Sequence, residues 1–208
     1  MTMLLKVKSN LLTKSQLRQV LAILRQGGVI VYPTDTSYGI GCDATNAKAV
    51  KKVFAVKQRP AEKQVSVMVS GISMAQRYSQ WNNQAQNLAQ KWWPGPLTII
   101  LKKKKGRGTI GMRAPKHALA LQIVKAYNKP IVTTSANISG QPPSYSIPAF
   151  MRQLKLFSNT YSPDFIIDAG VLPRRKPSTV IIVNRLQIKV LRQGTVHTRK
   201  VYSPEKII

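Results

Sequence analysis

The 208 residues carry 33 lysines and arginines against six acidic residues, a net charge of +27, and 43% of the chain is hydrophobic. That length holds one α/β domain with a proper core and is short for two. No apolar run approaches the roughly 20 residues of a membrane span, the N-terminal MTMLLKVKSNLLTK lacks an apolar stretch of secretory-signal length, and a lone Cys42 excludes an internal disulfide framework and suits a reducing cytoplasm.

Apolar residues at helical spacing predict a helix over 13–25, opened by a Thr13/Gln16 capping box and stopped at Gly27-Gly28. VIVYPTDT then reads as a buried strand ending at Pro33. A helix over 47–56, a strand over 65–69 and helices near 74–78 and 83–92 lead to the break at Pro94-Gly95-Pro96. LTIIL (97–101) and TIGMR (109–113) are strands either side of the basic turn KKKKGRG. A helix at 117–127, the strand PIVTT, a helix at 148–156 and three late strands at 165–169, 178–183 and 188–192 complete the chain. Helices and strands alternate early and strands cluster late. This predicts an α/β fold, an open twisted mixed sheet with flanking helices. One domain is expected across 1–208, with a core over about 13–194 and a short basic tail after Gly194.

Charge narrows the partners. A surplus of cations points to polyanions, nucleotide or RNA, with a lineage-wide lysine bias as the alternative. The acids are Asp35, Asp43, Glu62, Asp164, Asp168 and Glu205. They are too few and scattered for a carboxylate cage, so no protein metal site is expected and Mg²⁺ should arrive on a phosphate ligand.

Polar clusters fall at strand ends, where α/β proteins bind ligands. YPTDTSYGIG (32–41) offers Thr34, Thr36 and Ser37, with Gly39 and Gly41 permitting close backbone approach; a plain turn would look the same. KQRPAEK (57–63) places Lys57, Arg59 and Lys63 together, either as a polyphosphate clamp or as cations favoured at a helix C-terminus. Arg113 in TIGMRAP is a carboxylate receptor or a solvated edge residue. TTSANISG presents Ser135, Asn137 and Ser139, and PST and LRQG repeat the pattern of hydroxyl and guanidinium groups. There is no P-loop, no strand-linked GxGxxG and no GxSxG elbow, and His117 and His197 are isolated. Such a site would work by positioning and charge neutralisation rather than through a protein nucleophile.

In this order, the motifs resemble the threonylcarbamoyl-AMP synthase family, the YrdC/Sua5 domain. YPTDTSYGIGCDA, KQRP (a KxR element), WPGPLTIIL, GMRAP, TTSANISGQPP (an SxN element), PSTVIIV and LRQG carry the resemblance from about residue 28 to 194. It implies an open α/β sheet around a large basic cavity. The implied reaction joins L-threonine, bicarbonate or CO₂, and ATP into threonylcarbamoyl-AMP and pyrophosphate, with Mg²⁺ carried on the phosphates and no tightly bound cofactor. A tRNA threonylcarbamoyl-transferase complex would then modify adenosine-37 of tRNA. By motif position, Lys57, Arg59, Ser135 and Asn137 would hold the ATP phosphates and adenylate, with Lys63, Thr109 and Arg192 adding nucleotide contacts. Thr36, Arg113, Thr133 and Ser178 would bind L-threonine, with Arg113 on its carboxylate.

The chain also departs from the family pattern. Met68 stands where some members carry a histidine, and Pro143 stands where many carry a serine, with Ser144 as the candidate substitute. At 208 residues the chain is expected to lack the extra C-terminal domain of longer members. Keeping both the KxR lysine and the SxN asparagine separates it from the YciO-like branch. The competing reading is a non-catalytic double-stranded RNA- or tRNA-binding factor, or a ribosome-assembly factor, using the same basic surface.

Overall fold

The computed structural model describes residues 2–60, 62–158, 160–184 and 187–197. Most of the predicted tail lies outside these residues. The chain opens with strand β1 (Met3–Lys6) and helix α1 (Lys14–Arg25). Thr13 caps α1 by accepting from the Gln16 amide while the Gln16 side chain accepts from the Thr13 amide, as the sequence predicted. There follow β2 (Ile30–Pro33), β3 (Tyr38–Gly41), α2 (Ala47–Lys57), β4 (Ser66–Met68), α3 (Ile72–Gln76) and α4 (Asn83–Trp92). The second half runs β5 (Leu97–Lys102), β6 (Thr109–Arg113), α5 (Ala118–Tyr127), β7 (Ile131–Ser135), α6 (Ile147–Leu156), β8 (Phe165–Asp168), β9 (Thr179–Val183) and β10 (Ile188–Arg192). Pro148 falls in the first turn of α6, where its missing N–H costs nothing. Among the described residues no helix is long and apolar enough to cross a membrane.

Ten strands form one mixed sheet in the order β1-β8-β2-β3-β7-β4-β6-β5-β9-β10. Two of these strands were not predicted. Edge strand β1 has only four residues, mostly exposed, and no two-residue apolar period to announce it. Strand β3 reads YGIG, and glycine in a strand weakens the local signal.

Side-chain alternation divides the core. Ile30 and Tyr32 of β2 join α1, α3, α4 and α5 in one cluster, while Val31 joins α2 and α6 in a second. The first cluster extends along the sheet to Leu97, Ile99, Met112 and Ile181. The second takes its buried strand residues from β2, β3, β7 and β8, and none from β4, β5, β6 or β9. Register carries the Val31 face through Ile40, Val132 and Val67 to Met112, Ile99 and Ile181, so α2 and α6 and then α3 and α4 cover it; the Tyr32 face lies under α1 and α5 only as far as β7 and continues through Thr133 and Met68 to Arg113 and Thr98. That continuation of the Tyr32 face, bare of helices among the described residues, is where the polar strand-end motifs converge.

Gly41 explains part of the YGIG signature. A Cβ there would stand 1.8 Å from the Val132 carbonyl oxygen of β7, so what comes close to this glycine is a neighbouring strand. We predict that Gly41→Ala destabilises the protein by about 3 kcal/mol or more in urea unfolding, because backbone must move. A loss under about 1 kcal/mol would contradict the close approach.

Candidate active site

A cleft of about 590 Å³ opens over the bare face, with side chains of β4, β5, β6, β7 and β9 in its lining. Its position follows from alternation. Met112 of β6 points into the core, so Arg113 emerges on the opposite face; Leu97 and Ile99 likewise leave Thr98 facing the cleft.

Arg113 is 9% exposed and held on three sides. Its Nε donates to the Gly95 carbonyl at 3.0 Å, Nη1 to Thr36 Oγ1 at 3.3 Å, and Nη2 to the Asp35 carboxylate. Thr36 is fixed by the β2–β3 turn: Thr34 Oγ1 donates to the Ser37 carbonyl at 2.7 Å, accepts from the Thr36 amide at 3.2 Å, and lies 3.2 Å from the Thr36 hydroxyl. Thr133 Oγ1 accepts from Tyr32 Oη at 2.9 Å. Burial, opposed by that bond, drives the Tyr32 phenol far above its ordinary pKa, so it is a neutral donor.

At the other sheet edge, Arg192 Nε and Nη2 donate to the Ser178 carbonyl at 3.1 and 2.9 Å, and Nη2 also reaches Ser178 Oγ at 3.0 Å. Ser178 Oγ and Thr98 Oγ1 lie 2.9 Å apart. Burial first and the Arg113 charge second lower the Arg192 pKa, the sign expected where buried cations crowd one another.

Helix α2 delivers Arg59. Gln58 ends the helix with φ of +46°, and the Arg59 amide returns to the Phe54 carbonyl at 2.9 Å. The Arg59 guanidinium donates to the carbonyls of Lys63 (3.3 Å) and Gln64 (2.9 Å) and lines the cleft. Ser135, at the end of β7, lines it too.

Thus Thr36, Arg59, Arg113, Thr133, Ser135, Ser178 and Arg192 share one cleft lining. The other predicted site residues stand elsewhere. Lys57 and Asn137 are buried beneath the surface and bonded to each other; burial, with Arg59 second, lowers the Lys57 pKa to about 7. The Lys63 side chain is exposed outside the lining, because its carbonyl, not its amine, is turned toward Arg59. Thr109 sits beside the lining residue Gln64, 3.4 Å from its Oε1. Ser144 is 2% exposed and faces a separate cavity of about 210 Å³ over α6, while its neighbours Pro143 and Tyr145 line the cleft. Strand-like bonds explain this: the Ser144 carbonyl accepts from Tyr38 N and its amide donates to Ala136 O.

Residues the sequence reading missed include Asp35, Arg175 and Tyr145, all at or beside the cleft. Asp35 carried a signal, since it is one of only six acids and lies inside the PTDT motif. The cleft therefore presents guanidinium groups and hydroxyls. Asp35, the carboxylate nearest these groups, is committed to Arg113, and among the described residues no three His, Cys, Asp or Glu side chains group as metal ligands. These donors do not fit a Mg²⁺ cage.

The Arg113 and Asp35 side chains are 10% and 5% exposed, so removing the carboxylate leaves a buried, uncompensated charge. We predict that Asp35→Ala costs about 3 kcal/mol in urea unfolding of the ligand-free protein. A cost below about 1 kcal/mol would show that Arg113 is compensated without it.

Comparison with known proteins identifies the fold and the family. The Sua5/YciO/YrdC family model, described as "telomere recombination", matches residues 22–194. A Psychromonas ingrahamii protein named threonylcarbamoyl-AMP synthase is 33% identical over 82% of this chain and 93% of its own length. The Pyrococcus abyssi Sua5 structure complexed with L-threonine superposes with a TM-score of 0.84 at 27% identity, over 97% of this chain. The chain spans 59% of that longer protein. E. coli YciO gives a TM-score of 0.80 at 30% identity, covering 93% of this chain and 96% of its own. The protein belongs to the Sua5/YciO/YrdC family.

Proposed function

We propose that the cleft makes threonylcarbamoyl-AMP from L-threonine, bicarbonate or CO₂, and ATP, releasing pyrophosphate. The observation that carries this reading is the Arg113 fork. It is a buried guanidinium on the cleft floor with Thr36 at one nitrogen and a carboxylate at another, so it is already arranged to receive an anion. An amino acid carboxylate exchanging with Asp35 would keep that charge compensated. Arg59 and Ser135 would face the nucleotide's phosphates, with Arg192, Arg175 and Thr109 supporting the adenylate side. Thr133 and Ser178 would contact the amino acid.

The step needs no protein nucleophile. The threonine amine adds to CO₂ and loses a proton, giving a carbamate. A carbamate oxygen attacks the α-phosphorus, the new P–O bond forms, and the bond to the β-phosphate oxygen breaks to release pyrophosphate. Protein residues supply orientation and cations around the transferring group. Mg²⁺ would travel on the phosphates. The acyl-adenylate is a reactive mixed anhydride, which a tRNA-modifying transferase would consume. The exposed cations at Lys103, Lys104, Lys105 and Arg107, in the turn between β5 and β6, favour a contact with RNA alongside catalysis.

We predict pyrophosphate release from ATP only when L-threonine and bicarbonate are both present. Arg113→Ala should raise KM for L-threonine about 100-fold, and Arg59→Ala should raise KM for ATP about 10-fold or more. An unchanged threonine KM in Arg113→Ala would refute the carboxylate assignment. Salt-sensitive RNA binding with no pyrophosphate release would overturn the enzyme reading in favour of the non-catalytic one.

A further inference from the structure

Lys57 closes α2 with its side chain turned inward, and it is 1% exposed. Its Nζ donates to three oxygens: the Ser135 carbonyl at 2.5 Å, the Asn137 carbonyl at 2.8 Å and Asn137 Oδ1 at 3.0 Å. An ammonium group has three N–H bonds, and these acceptors take them all. Nothing remains to donate to a phosphate. Among the described residues Lys57 has no carboxylate partner, and the charge that acts on it is that of Arg59, a like charge. Burial and Arg59 both disfavour its proton, while three converging oxygens favour it, because a neutral amine would aim a lone pair at one of them.

The oxygens belong to a loop that is itself tightly bound. Ser135 Oγ donates to Asn137 Oδ1 at 2.6 Å, and Asn137 Nδ2 donates to the carbonyls of Ile138 (2.8 Å) and Gln141 (2.5 Å). The Ser139 amide donates to the Lys57 carbonyl at 2.7 Å, so α2 grips the loop through main chain and side chain together. Ser135 lines the cleft; Lys57 and Asn137 stand behind it.

We propose that Lys57 is the interior brace of the Ser135–Gln141 loop, a positioning residue that presents Ser135 to the cleft without touching a bound phosphate. The two sequence elements KxR and SxN then divide their work. Arg59 and Ser135 face the ligand, while Lys57 and Asn137 are bonded together to hold Ser135 in place. The brace stands on the bonds of Lys57 and its loop alone; its effect on nucleotide affinity rests on the proposed ATP reading.

Arginine is the informative replacement. Its planar fork keeps the charge that a phosphate contact needs, but its N–H bonds diverge and cannot meet three oxygens converging on one point. Hydrogen exchange of the ligand-free protein would be measured at Ala136, Ile138, Ser139 and Gln141, whose amides are all hydrogen-bonded. We expect about tenfold faster exchange or more at these amides in both Lys57→Met and Lys57→Arg, with α1 and α5 unchanged. AMP and ATP affinities should fall together in both variants. Unchanged loop exchange, or ATP affinity lost in Lys57→Met and restored in Lys57→Arg, would make Lys57 a phosphate ligand and overturn the brace. Should Lys57→Met lose protection along the whole chain, Asn137→Ala decides. Opening confined to the loop supports the brace, and an unaltered loop overturns it. Loop opening in the variants of a protein that binds no nucleotide even unaltered would remove the ATP reading and leave the brace standing.

Discussion

Strand β7 is where the two halves of this molecule meet, and what happens at its end decides the site. It pairs antiparallel with β3 on one side and with β4 on the other. Helices cover both faces of the sheet up to it, and beyond it they cover one face only. A sheet face without helices must carry polar side chains or bury them in local bonds, and here it does both. Thr98, Ser178 and Arg192 bond among themselves, as do Thr36, Asp35 and Arg113. The Ser135 loop leaves β7 at the rim of this bare area, tied down by a buried ammonium that has exhausted its donors.

The electrostatic design is sparse. With 33 basic residues and six acids, few carboxylates are available to neutralise the cleft, and Asp35 is spent on Arg113. Lowered pKa values at Arg59 and Arg192 both trace first to burial. Cations desolvated beside one another store unfavourable energy that an anionic ligand relieves, so such a cleft favours polyphosphates and carboxylates over neutral ligands. The adenylyl transfer proposed for this cleft asks for little else.

Much of this was legible in the sequence, because the fold brings strand ends together. The hydroxyls after β2, within β7 and before β9, and the arginines ending β6 and β10, are far apart in the chain yet fall in one cleft. Helix α1 was legible down to its Thr13 cap, since capping is a local interaction. What escaped was set by distance. Strand β3 forms from YGIG because its partner β7 approaches too closely for a side chain at Gly41, a reason that lies about 90 residues away in sequence. Lys57 read as part of a polyphosphate clamp or as a cation favoured at a helix C-terminus, because nothing local marks a lysine there for burial. Its burial follows from carbonyls 78 and 80 residues further on. Ser144 likewise carried a motif position but not a direction, and backbone pairing with Tyr38 and Ala136 turned it away.

The most direct test is a crystal structure of the protein with L-threonine and a non-hydrolysable ATP analogue. The account predicts the threonine carboxylate on Arg113, the phosphates against Arg59 and Ser135, and Lys57 still bonded to its three loop oxygens. Ligands bound outside the cleft would contradict the proposed active site. A phosphate bonded to Lys57 Nζ, with the loop bonds broken, would contradict the division of labour between the two motifs.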